Sequence, residues 1–172
     1  MNKGAAARII SRRLNLNLGR TNALLVAASD AGVLPKARGR DVPQLSNIEL
    51  AHVLLACVAD RGIGVAGQSV REFAALRSDG GATLVDLLGG WMSGAVSTSR
   101  VHSAIIQLDP AGVTIVTESD RLSYGPERDQ STAAHIITVP GDALRAIINE
   151  LRGNTAVMDM APIRAAAAAL TS

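Results

Sequence analysis

Basic side chains that can bind phosphate are concentrated at the start of the chain. The first forty residues contain eight lysines and arginines but a single acidic residue, Asp30. The remaining 132 residues contain nine basic and fourteen acidic residues, so the formal net charge of +2 conceals a strongly positive N-terminal segment. Lysine and arginine bind polyanions by neutralising phosphates and releasing counterions. The asymmetry therefore predicts a polyanionic partner, against the alternative of a solvated charged surface that binds nothing.

Other residue patterns give little support for catalysis, metal binding or cofactor binding. The histidines His52, His102 and His135 stand at no metal-ligand spacing, and Cys57 is the single cysteine, so we expect no catalytic residue, no cofactor and no metal. Residues 62–67 spell Gly-x-Gly-x-x-Gly. The dinucleotide fingerprint requires a strand before this motif, whereas the preceding segment is typical of a helix. A nucleotide-binding enzyme is therefore a minor alternative.

Two predicted helices position the N-terminal arginines. Residues 5–14 have helical periodicity, which places Arg8 and Arg12 on one side and Arg13 at its margin. After a turn over 15–19, a second helix is expected over 20–31, with Thr21 or Asn22 as its N-cap and Gly32 at its end. A basic loop, Lys36-Ala-Arg-Gly-Arg40, follows.

The order of these elements over Ile9–Arg40 resembles a winged helix-turn-helix. The alanine-rich style of the chain also resembles small proteins from phages and mobile elements. The resemblance implies that residues 20–31 form the recognition helix and that Lys36–Arg40 form the wing. A helix fits the major groove of DNA, and its N-terminal residues reach the base edges. The side chains expected to contact DNA are Arg8, Arg12, Arg13, Arg20, Thr21, Asn22, Lys36, Arg38 and Arg40.

The segment Ser46–Asp60 is predicted to form a buried helix that supports the two basic helices. Ser46 and Glu49 stand at the capping-box spacing, and the residues after them leave the helix no polar face. We call this segment the pillar helix. It completes a predicted N-terminal head over 1–61.

The rest of the chain is predicted to be a helical linker region (62–100), a small α+β body (101–153) and an alanine-rich tail (154–172). In the linker region, a short helix capped by Thr83 and Asp86 is expected to run through Leu88 and to end at Gly89-Gly90. In the body, strands over 101–109, 113–118 and 134–139 form a three-stranded antiparallel sheet, residues 119–132 form a loop, and 142–151 form a helix. The expected fold class is therefore α+β, with a helix-turn-helix head. Open sheet edges favour pairing with a second subunit.

These expectations lead to a functional hypothesis. The chain is predicted to be a cytoplasmic, sequence-specific double-stranded DNA-binding protein, a homodimeric transcriptional regulator of phage or mobile-element origin, without a membrane span. One phenylalanine, one tyrosine and one tryptophan are too few for the base stacking that single-stranded targets require. Two alternatives stay open: a non-enzymatic inhibitor or adaptor of a nucleic-acid-processing protein, similar to an anti-CRISPR, and a phage DNA-packaging subunit.

Overall fold

The computed structural model describes residues 1–36, 42–126 and 134–154. Within these ranges the chain forms helices and one antiparallel sheet, which confirms the α+β class. The helices are α1 (Lys3–Leu14), α2 (Leu18–Asp30), α3 (Asn47–Val58), α4 (Ala66–Ala75), α5 (Leu84–Ser93) and α6 (Gly141–Leu151), with a short 3₁₀ helix at Ile63–Val65. The strands are β1 (Val101–Gln107), β2 (Gly112–Thr117), β3 (Arg121–Tyr124) and β4 (Ile136–Pro140).

Asparagine side chains begin both N-terminal helices. The Asn2 side chain accepts a hydrogen bond from the Ala5 N–H at 3.0 Å, and the Asn17 side chain accepts one from the Arg20 N–H at the same distance. The predicted cap of α2 at Thr21 or Asn22 was therefore wrong, because Asn17 satisfies the orphan donor one turn earlier. Gly32 follows α2 with φ +74°, in the left-handed region expected of it.

The pillar helix is confirmed as α3. The Ser46 and Glu49 side chains form the predicted capping box, with bonds of 3.2 Å and 2.7 Å to each other's backbone N–H groups. Nearly all side chains from Leu50 to Val58 are buried, and the helix contacts α1, α2, α4 and α5. Its apolar circumference is thus matched by neighbours on several sides.

The two glycines expected to end the fifth helix lie inside it instead. A Cβ added at Gly89 would lie 2.7 Å from the Ile48 Cδ1 atom, and one at Gly90 would lie 2.8 Å from a Val96 methyl group. These glycines permit close packing of α5 on its neighbours, so the prediction that they terminate the helix was wrong. The helix continues past Trp91, which is buried in the core.

The sheet has four strands within the described residues, in the order β3-β2-β1-β4, rather than the predicted three. All neighbouring strands are antiparallel; β1 pairs Ala104 with Ile115 of β2 and with Val139 of β4. The additional strand β3 lies in the segment that was predicted to be a loop. Its four residues are too few to show a clear alternation, and the following Gly125-Pro126 favoured a loop.

A single cluster of buried residues joins the helices to the sheet. It extends from Ala6 in α1 to Leu151 in α6, and α1 and α6 contact each other directly. The predicted head, linker region and body therefore share a hydrophobic core, while the domain boundaries themselves stay a prediction. Nearly all of the predicted tail (155–172) lies outside the described residues. Across the described ranges, the helices are too short or too polar to cross a bilayer.

Candidate nucleic-acid interface

Two of the three arginines of α1 pair with one carboxylate, which comes from α6. Both Arg12 and Arg13 form ion pairs with Glu150 of α6, and the Arg13 Nε atom donates to Glu150 Oε1 at 2.6 Å. The Arg12 side chain is nevertheless 63% exposed, whereas Glu150 is 11% exposed. Arg8 is exposed and forms no hydrogen bond or ion pair within the part of the chain that the structure describes. One carboxylate thus faces two arginines, while a third arginine points to solvent.

Arg20 in the first turn of α2 is held by Asp60, which follows α3. Its Nε and Nη2 atoms each donate to a separate Asp60 oxygen at 2.8 Å, and Asp60 also accepts from the Gly62 N–H. The hydrogen bond from Arg20 lowers the pKa of Asp60 and raises that of Arg20. Since this is a bidentate pair, Arg20 can contact a base edge only after it leaves Asp60.

The two neighbours of Arg20 have opposite environments. Thr21 is 1% exposed, and its Oγ1 atom accepts a hydrogen bond from Ser11 Oγ of α1 at 2.9 Å. It is therefore a buried link between α1 and α2, and the expectation that it contacts DNA was wrong. Asn22 is exposed, as a base-reading residue must be. Of the three expected DNA-contacting residues at this end of α2, Arg20 is ion-paired, Thr21 is buried and Asn22 is exposed.

At the other end of α2, Lys36 forms an ion pair of 2.8 Å with Asp30, and both side chains are exposed. Lys3 was not among the expected residues; its ammonium donates to Ser29 Oγ and to the Pro35 carbonyl, both at 2.6 Å, and burial lowers its pKa. It ties the start of α1 to the segment after α2. Arg38 and Arg40, the other expected wing residues, lie outside the described residues.

The three carboxylates that pair with these cations were missed by sequence reasoning. Glu150 is 137 residues from Arg13, and Asp60 is 40 residues from Arg20, so no local spacing indicates either pair. Asp30 was noted as the lone acid of the segment, but not as the partner of Lys36. The described part of the segment contains six basic side chains, and these three carboxylates pair with four of them: Arg12, Arg13, Arg20 and Lys36.

The described ranges contain no assembled metal site, reactive thiolate or dinucleotide-binding motif. They contain no group of three histidine, cysteine or acidic residues that could hold a metal. Burial raises the pKa of the Cys57 thiol to about 12, so this cysteine is not a reactive thiolate near neutral pH. Residues 62–67 form the 3₁₀ helix and the start of α4, without the preceding strand that dinucleotide binding requires. A Cβ at Gly67 would lie 2.2 Å from the Ala31 Cβ atom, so this glycine is explained by packing against the end of α2.

No protein-family model, no curated protein and no solved structure matches this chain significantly. The class that its fold defines is therefore an α+β protein with a four-stranded antiparallel sheet over the described residues. Its functional interpretation depends on the partly neutralised basic surface of α1 and of the segment after α2.

Proposed function

We propose that the protein binds double-stranded DNA, chiefly through phosphate contacts made by α1. The observation that carries the proposal is the exposure of two arginines on one side of α1: Arg12 is 63% exposed beside Glu150, and Arg8 is exposed without an ion pair to any described residue. Glu150, which also pairs with Arg13, supplies one negative charge at most. A phosphate backbone supplies the remaining negative charge and gains counterion-release free energy in return.

The observed ion pairs do not prevent such contacts. Exposed ion pairs are worth about 0–1 kcal/mol, because water and salt screen them. Arg12 keeps most of its side chain exposed while it pairs with Glu150, so its guanidinium can donate to a phosphate with its remaining N–H groups. Lys36, exposed beside Asp30, is a second contact at the start of the predicted wing.

A winged helix-turn-helix would read bases with α2, and the exposed face of this helix supports that role only weakly. Arg20 and Asn22 are the side chains there that can pair with guanine or adenine. The centre of the face is Val26, 59% exposed, with Ala23 and Ala27 beside it. We therefore assign the duplex affinity to α1 and give α2 no part in reading bases.

In this proposal the protein is a dimeric transcriptional regulator of phage or mobile-element origin. The alternative is an adaptor or inhibitor whose cations bind an acidic protein. The same exposed arginines, Arg8 and Arg12, fit either partner. The two functions differ in their response to naked DNA.

The test is a titration of a fluorescent duplex with the full chain at low salt, using the wild type, Arg12→Ala and Arg121→Ala. Arg121 is an exposed arginine of β3, so its variant controls for the loss of one charge away from α1. We expect binding by the wild type, weaker binding by Arg12→Ala and unchanged binding by Arg121→Ala. Equal binding by all three proteins contradicts the assignment to α1. Absence of DNA binding, together with capture of one acidic protein, favours the adaptor.

A further inference from the structure

The outer face of α2 carries two large apolar side chains that are exposed, Leu18 and Val26. Leu18, Asn22, Val26 and Asp30 stand four residues apart and are all exposed, so they form one ridge along the helix. Val26 has the largest exposed fraction among the large hydrophobic residues that the structure describes. Gly19, Ala23 and Ala27 form the adjacent row, whose small side chains leave a shallow groove.

The 3₁₀ helix that follows α3 widens this apolar surface. It packs beside α2, and its Ile63 and Val65 side chains are both exposed. Four of the nine large hydrophobic residues exposed in the described ranges therefore lie on α2 or on this neighbouring turn: Leu18, Val26, Ile63 and Val65. Clustered exposed apolar residues with charges at their margins are typical of protein interfaces.

Charges at the two ends of α2 identify the partner. The N-terminal end carries the Arg20–Asp60 pair and the C-terminal end carries the Asp30–Lys36 pair, each with N–O distances of 2.8 Å. Arg20 and Asp30 are ten residues apart, or about 15 Å along the helix. Each end thus presents both signs of charge, and a partner that also carries both signs can match both members of each pair. A second α2 in antiparallel orientation places Arg20 opposite the other copy's Asp30, and Lys36 opposite the other copy's Asp60.

We propose that a second copy of this chain docks on the α2 face, through antiparallel packing of the two α2 helices about a twofold axis. The ridge of one copy, with Val26 near its centre, enters the groove formed by Ala23 and Ala27 of the other copy. Such an interface is self-complementary, as a twofold axis requires. The inference deepens the proposed function, on which it rests only for the dimer. It also covers Asn22 and leaves the arginines of α1 outside the interface.

The first test is sedimentation equilibrium of the full chain without DNA, comparing the wild type, Val26→Glu and Val42→Glu. Val42 is an exposed valine outside the α2 face, so its variant controls for an added carboxylate. We expect the wild type and Val42→Glu to be dimers, and Val26→Glu to raise the dimer dissociation constant about a hundredfold or more, because two unpaired carboxylates would be buried. A monomeric wild type overturns the proposal. Equal dimerisation by the two variants, or equal loss in both, overturns the assignment to α2.

A second measurement keeps the test independent of folding defects in Val26→Glu. In Val26→Cys, the introduced thiol lies near the proposed twofold axis, while the native Cys57 is buried and does not compete. A short bismaleimide is expected to link Val26→Cys into a covalent dimer much faster than Val42→Cys. Equal rates of cross-linking contradict the proposed interface. Because neither experiment contains DNA, failure of duplex binding leaves these outcomes unchanged and is recognised separately.

Discussion

Helices α1 and α2 come from the same basic segment but present different surfaces. The exposed side of α1 carries Arg8 and Arg12, and Arg12 shares Glu150 with Arg13. The exposed side of α2 carries an apolar ridge around Val26, with a balanced ion pair at each end. The difference shows that net charge along a sequence does not locate a binding face, because carboxylates from distant elements neutralise some cations and leave others free.

The largest expected effect is a loss of duplex affinity when two positive charges are removed from the exposed side of α1. We expect the double variant Arg8→Ala/Arg12→Ala to weaken duplex binding at least about a hundredfold at low salt. A dimer would lose four phosphate contacts, so the slope of log K against log salt should become less steep by roughly 3.6. Fluorescence anisotropy at several salt concentrations measures both quantities.

The matched control for this variant is Arg100→Ala/Arg121→Ala, which removes two exposed arginines from the sheet region. Its affinity and salt dependence should equal those of the wild type. If the control loses as much affinity as the α1 variant, binding follows overall charge, and the distinction between α1 and other surfaces fails.

The comparison between α1 and α2 is also tested by removing the carboxylates that pair with their arginines, which should increase duplex affinity at α1 more than at α2. Glu150→Gln removes the carboxylate that pairs with Arg12 and Arg13 and should strengthen duplex binding, by roughly tenfold for a dimer if its removal is worth about 0.7 kcal/mol in each protomer. Asp60→Asn releases Arg20 of α2 and should have a much smaller effect. Asp79→Asn supplies the control for an equal change in net charge. Affinities should be compared well below the melting temperature, since Glu150 also links α6 to α1.

An increase for Asp60→Asn equal to that for Glu150→Gln would place the N-terminal end of α2 on the DNA. That result would restore α2 as a recognition helix and would contradict its assignment as an interface between copies.

Thr21 supplies a test on stability instead of affinity. Thr21→Val removes the acceptor of the buried Ser11 hydroxyl and should lower the free energy of unfolding by about 1–3 kcal/mol. Denaturant unfolding measures this change. Duplex affinity at low temperature should stay at the wild-type value, because Thr21 is buried. A loss of affinity without a loss of stability would indicate that Thr21 contacts DNA.

The sequence predicted those features that depend on neighbouring residues. The capping box of Ser46 and Glu49, the apolar circumference of α3 and the positive φ of Gly32 each follow from short-range patterns, and the structure confirms them. The two helices of the basic segment were also predicted, although α2 begins earlier than expected. Local spacing is sufficient for such features because the groups involved lie within one or two helical turns.

Features that depend on contacts between distant residues were not predicted. The pairing of Glu150 with Arg12 and Arg13 and the burial of Thr21 against Ser11 arise only when α1, α2 and α6 are assembled. Gly89 and Gly90 resembled a helix stop because their role in packing α5 requires knowledge of Ile48 and Val96. The candidate site therefore differed more from expectation than the fold did.

The smallest expected effect is the contribution of His52, in α3, to the pH dependence of stability. Burial lowers the pKa of His52 below its usual value of 6.5, so the unfolded chain binds a proton more readily than the folded chain. Stability should therefore be fully present above pH 6.5 and should fall as the pH decreases through the folded-state pKa. Thermal melts at a series of pH values measure this effect, and His52→Gln should show less of the loss. An unchanged pH dependence in the variant would exclude His52 as its source.

The most direct test of the central claim, that α1 binds the phosphate backbone of duplex DNA, is the salt dependence of duplex affinity for the wild-type protein. If each protomer of a dimer contacts about four phosphates, log K should fall with log salt with a slope of roughly −7. A slope near zero, or no measurable duplex binding at low salt, would contradict the claim.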